Sequence, residues 1–301
     1  MKNLFFMAVC CLVAAACSNE ESMDSSVNLS GEQVMAPVKV TTTGFEVSQG
    51  EFTSRRAEQS VADYEYVKAL TLAFFKQDGT EVYKCTHIKE DPNATYTTFG
   101  EFSTSLPLGS YTMVVIGYNR ALEMTLTSAT VASIGTGSLC ETFADKKLVN
   151  ITNTTPVNLT ATLQRIVTAL GVRSTDNRPA GVTHLRITYS AGSKSFNPMT
   201  GLAADNNGFT DLIPFGSAVG SPIFSGSYLF LNTDEQTMDV TIETLDGAEG
   251  NVLFSKTITN VPLKRNRQTT LQGPIFTNGT ANASSFKVES NWITPGNTIE
   301  F

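Results

Sequence analysis

Two places in this sequence carry residue types that invite covalent chemistry. The first is Cys17, which follows Ala14-Ala15-Ala16 at the end of an uncharged, mostly apolar run over residues 4–16. Lys2 gives that run a short basic start. A basic start, a short apolar stretch and small residues before a cut are the anatomy of an export signal. Cysteine as the first mature residue adds lipoprotein processing, in which the thiol is acylated and the chain hangs from lipid. The run of about 13 residues falls short of the roughly 20 that span a bilayer as a helix. Ala14 stands where a lipoprotein signal carries a larger aliphatic residue, so an ordinary signal cut near Ala16 is the alternative. Both readings put everything after Cys17 outside the cytoplasm. The second place is Arg55-Arg56, in a polar stretch over residues 51–58. Such a loop is open to a trypsin-like protease; taken locally, the pair is simply two solvated charges.

The rest of the chain offers little for catalysis. The two histidines, His87 and His184, show no metal-ligand spacing such as His-x-x-x-His and read as solvated side chains. There is no Gly-x-Ser-x-Gly elbow, no Walker loop and no Gly-x-Gly-x-x-Gly turn. The adjacent acids Asp234-Glu235 have the pattern of a solvated face. Asp205-Asn206-Asn207-Gly208 lacks the acid spacing of an EF-hand loop and reads as a plain turn. The expectation is a protein that is not an enzyme, with no cofactor and no metal.

Composition narrows the class. Removal of the signal leaves about 285 residues, enough for one large or two ordinary domains. Hydrophobic residues make up 41% and charged residues only 16%, which supports a real core and an exported, uncharged style. A net charge of −7 without a basic stripe argues against a nucleic-acid partner. Of five cysteines, Cys85 and Cys140 lie beyond the signal and the lipidation site. An extracytoplasmic setting permits either a disulfide between them or two free thiols. Residues 18–36 are polar and cannot bury enough apolar surface to fold, so they form a tether.

The elements that must carry these residues are strands. Residues 38–45 alternate with β-branched side chains, 66–75 and 111–118 are strong apolar runs, and Gln77-Asp78-Gly79-Thr80 is a hairpin turn. Residues 122–134 suggest a short helix or an irregular crossing. Residues 157–163 alternate cleanly and 164–172 continue in β-branched residues, which places a boundary near Arg165. The second half repeats the style of the first, with strands over 185–189, 228–231, 238–245, 252–259, 269–276, 285–292 and 298–301. Short strands punctuated by Gly, Pro and Asn fit β-sandwiches better than a βαβ sheet. The expected fold class is all-β, with an N-terminal sandwich over 37–165 and a C-terminal one over 166–301.

Several of these features together resemble a known family. A lipoprotein signal, a strand over 38–45, a loop bearing Arg55 and Arg56, and a long apolar strand over 66–75 are similar to the opening of the Bacteroidales fimbrillins, the subunits of type V pili. The acidic stretch Ser18-Asn19-Glu20-Glu21-Ser22 resembles the mark of surface lipoproteins in the Bacteroidota. Leu106-Pro107-Leu108-Gly109-Ser110, Phe196-Asn197-Pro198-Met199-Thr200-Gly201 and the stretch 261–271 also resemble that superfamily. The resemblance implies two transthyretin-like β-sandwich domains in tandem and no catalytic site. It implies export to the outer membrane on a lipid at Cys17, then a cut by an arginine-specific protease after Arg55 or Arg56. The cut would release the lipid and the first strand, and a neighbouring subunit's C-terminal strand would fill the slot. The implied partners are other pilus subunits, the outer membrane, and a host or bacterial surface ligand. Two alternatives stand beside this: an uncut lipoprotein anchor or minor subunit of the same pilus, and a surface ligand-binding β-sandwich lipoprotein. The single tryptophan, Trp292, is a weak basis for the last, since stacking platforms use several.

Overall fold

Every regular element among the described residues is a strand. The computed structural model describes residues 33–45, 60–119, 123–135 and 139–277, and the backbone of a last strand over 287–292. Cys17, Arg55, Arg56 and the strand expected over 298–301 lie outside the described residues.

Val34–Phe301 make one compact unit, and within it the strands fall into two halves. In the first half, β1 (Met35–Phe45), β2 (Ala69–Lys76), β3 (Glu81–Ile88), β4 (Glu101–Pro107), β5 (Gly109–Tyr118), β8 (Phe143–Ile151) and β9 (Val157–Arg165) form one sheet in the order β3-β2-β5-β8-β9-β1-β4. Strands β8 and β9 share only the pairs Phe143↔Arg165 and Ala144↔Gln164. The sheet turns at that corner, so its two arms enclose a core. Leu70, Leu72 and Phe74 of β2 and Met113 and Val115 of β5 pack in one cluster with Val38 and Val40 of β1, Phe102 of β4 and Leu163 of β9. Beyond the shared pairs, side chains bridge the gap: Asp145 accepts the Thr162 N–H at 2.9 Å, and the Lys147 ammonium donates to the Thr160 carbonyl.

The second half repeats this plan. It comprises β10 (Thr168–Ser174), β11 (His184–Tyr189), β14 (Phe209–Pro214), β15 (Phe224–Leu229), β16 (Glu235–Leu245), β17 (Val252–Lys264), β18 (Arg267–Gly273) and β19 (Lys287–Trp292). One sheet runs β14-β11-β16-β17 and the other β15-β10-β18-β19. Strand β10 takes the place of β1: each pairs parallel with a late strand of its half and antiparallel with an earlier one. Among the described residues β19 has no counterpart in the first half. The second half has its own core cluster, from Leu170 through Ile242 to Ile275.

A third sheet ties the halves together. The stretch 122–134, expected as a short helix or irregular crossing, instead holds a hairpin of β6 (Met124–Ser128) and β7 (Val131–Ile134). The hairpin pairs with β12 (Ser195–Asn197), which pairs with β13 (Leu202–Ala203), through Phe196↔Ala132. The reason lies in burial: Leu126, Ala132 and Ile134 join Phe75 and Val114 of the first half and Phe196 and Phe230 of the second. The alternating β-branched residues of this stretch suit that sheet.

His87 departs from its sequence reading. It is not solvated but 5% exposed, stacked between Tyr96 and Phe102 with both ring centroids 3.9 Å away. The stack joins β3 to β4, the two end strands of the folded sheet. Burial lowers the pKa of His87 from 6.5 to about 4. The folded value lies below the unfolded one, so the unfolded chain takes the proton first. The contribution to stability is complete above about pH 6.5 and is lost as pH falls toward 4. We expect a His87→Phe variant to lose less stability than the wild type between those two pH values in chemical denaturation. An unchanged pH slope would remove His87 as its source.

Candidate functional site

The first strand occupies a slot with a neighbour on each side. Strand β1 pairs antiparallel with β4 from Met35↔Pro107 to Thr41↔Glu101. It pairs parallel with β9 from Val38↔Val157 to Phe45↔Leu163, with one register shift between Thr42 and Gly44. The alternation of its sequence sets its faces: Ala36, Val38, Val40 and Thr42 are buried, while Pro37 and Lys39 are exposed. The backbone alternates as well. Leu108 N–H donates to the Val34 carbonyl and Thr42 N–H to the Gly100 carbonyl, so even-numbered residues bond toward β4 and odd-numbered ones toward β9. Pro37 falls in the β9-facing set, one position before that ladder begins at Val38, so its missing N–H removes no ladder bond. Burial of Val38, Val40 and Phe45 contributes about 1.5–3 kcal/mol each. Without β1, the slot would present two unpaired strand edges and an apolar floor.

The far end of β1 closes over a buried charge cluster. Phe45 packs on Tyr64 and on Phe143, with ring centroids 4.7 Å apart in each case. Phe45, the last described residue before Arg55 and Arg56 in the sequence, thus meets Tyr64, which follows them. Tyr64 is placed by a turn in which its N–H donates to the Ser60 carbonyl and Ser60 Oγ donates to Asp63. Beneath these rings, the Arg165 guanidinium lies 5.1 Å from the Phe143 centroid and 3.0 Å from Glu141. The Arg165 and Glu141 side chains are 3% and 9% exposed. The Tyr64 hydroxyl donates to the second Glu141 oxygen. Burial, and then the Glu141 charge, push the Tyr64 phenol well above its usual range.

Arg165 also reaches the second half. Its Nη1 donates to Asn266 Oδ1 at 3.0 Å, and Asn266 N–H donates to the Val167 carbonyl at 2.9 Å. Asn266 sits in the β17–β18 turn with φ +58°, a left-handed conformation that Asn tolerates. The neighbouring Arg265 donates to the Thr200 carbonyl at 2.9 Å and pairs with Asp234 at 2.8 Å. Gly201, with φ +71°, lies so close to Ile166 that a Cβ there would come within 2.7 Å of it. The segments 196–201 and 261–271, both noted in the sequence, thus meet beside Arg165 and Ile166.

Other candidates resolve into structure. Cys85 and Cys140 are free and partly buried, and burial pushes the Cys140 thiol up to about 12. The 205–208 loop is a turn whose polar groups serve the chain: Asp205 accepts from Ser193 and Asn207, and Asn206 accepts from Gly192 N–H. Asp234 and Glu235 remain largely exposed but pair with Arg265 and Lys264. Among the described residues no group of three or more His, Cys, Asp or Glu side chains is placed to hold a metal ion. Sequence reasoning missed the Glu141–Arg165–Tyr64 cluster; nothing in the local sequence around Glu141 marks it.

Solved structures share this architecture. A putative adhesin from Bacteroides ovatus is 12% identical, with a TM-score of 0.51 over 87% of this chain and 96% of that one. The fimbrial anchor protein Mfa2 from Porphyromonas gingivalis is 11% identical, with a TM-score of 0.51 over 86% of this chain and 98% of that one. At these identities the likeness is one of fold. No curated protein matches the sequence. Residues 32–299 match the family described as "Family of unknown function (DUF6562)", and the chain belongs to that family.

Proposed function

We propose that this chain is a structural, non-catalytic subunit of a surface fimbria, built from two transthyretin-like β-sandwich domains over 37–165 and 166–301. It is exported as a lipoprotein on Cys17 and held at the outer membrane. A cut after Arg55 or Arg56 frees β1, and a second subunit's C-terminal strand takes its place. The observation that carries this reading is the position of β1. It is an internal strand with two ladders, and its covalent link onward runs through the arginine-bearing segment. Strand β19, by contrast, has a single ladder among the described residues, to β18 at the end of its sheet. Leaving β18 forfeits one ladder, and entering a vacant β1 slot gains two along with apolar burial. An empty slot would otherwise be an aggregation hazard.

The fold shared with a fimbrial anchor protein supports a second reading, in which the chain stays lipidated and uncut as an anchor or minor subunit. Replacing Arg55 and Arg56 together by Ala separates the two. The first reading expects folded, lipidated monomers and no assembly, while wild-type protein in sheared filaments begins just after Arg55 or Arg56. Filament-associated wild-type protein that still carries lipid on Cys17 would overturn the cut and establish the anchor role.

A further inference from the structure

Strand β14 carries an acid where its pattern calls for an apolar side chain. Phe209, Asp211 and Ile213 point inward, between the outward Thr210 and Leu212. Asp211 is 1% exposed, and an acid is almost never buried so deeply unless it is paired. Beside it stands Lys194, whose Nζ lies 2.6 Å from Oδ1. That is shorter than the roughly 2.7–2.9 Å of an ammonium–carboxylate hydrogen bond. Neither Asp211 oxygen accepts a hydrogen bond of ordinary direction. The amine is therefore pressed against the carboxyl group rather than set in a regular hydrogen bond with it.

Both groups are held from several sides. The Lys194 carbonyl accepts the Ile134 N–H of β7 at 3.2 Å, and the adjoining Ser193 exchanges backbone hydrogen bonds with Phe230. The Lys194 Nζ lies 5.2 Å from the centroid of the Phe209 ring, which packs on Tyr189. Asp211 is fixed by its ladder pairing with Ile187 of β11. Burial raises the Asp211 carboxyl above the usual carboxylate range, although Lys194 and the Ser227 hydroxyl pull the other way. A proton crossing the 2.6 Å contact turns the ion pair into a neutral amine and a neutral acid. Those are the forms that condense to an amide. Groups fixed at contact distance react with effective molarities on the order of 10⁵–10⁸ M.

We propose that Lys194 and Asp211 are a self-crosslinking pair, joined in the mature protein by an amide bond between Nζ and Cγ. The amine attacks Cγ, the C–N bond forms and one C–O bond breaks. The departing oxygen leaves as water with the proton of the acid and one proton of the amine. No oxidant, reductant or cofactor is consumed. The Ser227 hydroxyl, which shares a 2.6 Å hydrogen bond with the Tyr189 hydroxyl, is within reach of the carboxyl. It can donate to the oxygen that gains negative charge during the attack. The Lys194 side chain is 24% exposed, which gives the water a way out. The bond closes residues 194–211 into a ring and ties β14, at the end of its sheet, to the segment that pairs with β7. This inference does not depend on strand exchange.

The test is the mass of the full chain, purified folded, held at neutral pH, then unfolded and digested with trypsin. An unmodified chain is cut after Lys194 and yields peptides 187–194 and 195–256. The crosslinked chain is expected to resist that cut and to yield a single peptide 187–256, lighter by the mass of one water. Fragment ions should place the loss between Lys194 and Asp211. Lys194→Arg and Asp211→Ala chains should each show their full mass, and the Asp211→Ala chain should be cut after Lys194. Wild-type protein with its full mass and a normal cut after Lys194 would overturn the crosslink and leave an ordinary buried ion pair. Water loss that persists in both variants would overturn it as well. The decisive reading is made on the wild type, so a variant that fails to fold cannot imitate it.

Discussion

Replacing Glu141 by Ala should cost the folded protein about 3–5 kcal/mol, the range for removing one partner of a buried ion pair. The cost arises from what remains. The Arg165 side chain is 3% exposed, and Glu141 is its carboxylate partner at 3.0 Å. Without that partner a guanidinium stays buried with an amide, a phenol and the face of Phe143 for company. The Tyr64 hydroxyl also loses its acceptor. Natural domains are stable by only about 5–15 kcal/mol, so the loss should appear as a large drop in the urea midpoint. Glu141→Gln keeps an acceptor oxygen and should lose less. Adding Arg165→Met to Glu141→Ala should recover part of the loss, because the stranded charge goes with it. A Glu141→Ala midpoint indistinguishable from the wild type would show that the pair holds nothing together.

Val40→Asp is expected to expel β1 from its slot. Val40 is fully buried at the middle of β1, in the cluster that includes Leu72 and Phe102. A carboxylate there has no cation to meet in that cluster, and its burial costs several kcal/mol unless it takes up a proton or leaves. Leaving is available because β1 is the first strand among the described residues and its neighbours β4 and β9 are strands of later sequence. The second half has its own core from Leu170 onward and should stay folded. The measurable signs are protease sensitivity over residues 35–45 and, through the vacated slot, oligomers formed without any cut at Arg55 or Arg56. Light scattering reads the second. A Val40→Asp chain that stays monomeric with a protected first strand would show that β1 is not the replaceable element.

Local pattern alone determined much of this molecule. Val38, Val40 and Thr42 alternate with Lys39 and Thr41, and that period of two already names an inner and an outer face for β1. The apolar run over 66–75 already marks a strand, and the two core clusters on either side of β2 show both its faces covered. Two β-branched runs abut at Arg165 in the sequence, and β9 ends at that residue. Strand β8 was not legible. Asp145, Lys146 and Lys147 interrupt its apolar pattern, and only the fold explains them, since Asp145 and Lys147 reach across to the backbone of β9. Strands β7 and β12 were equally hidden, because each is too short to be stable until Phe196 and Ala132 bring them together. His87 looked solvated because nothing within a few residues foretells Phe102 against its ring. The junction at Arg165 was decided entirely by tertiary structure. Its partner Asn266 lies 101 residues away along the chain, and a sequence pattern records the period of one strand but not which distant strand will face it.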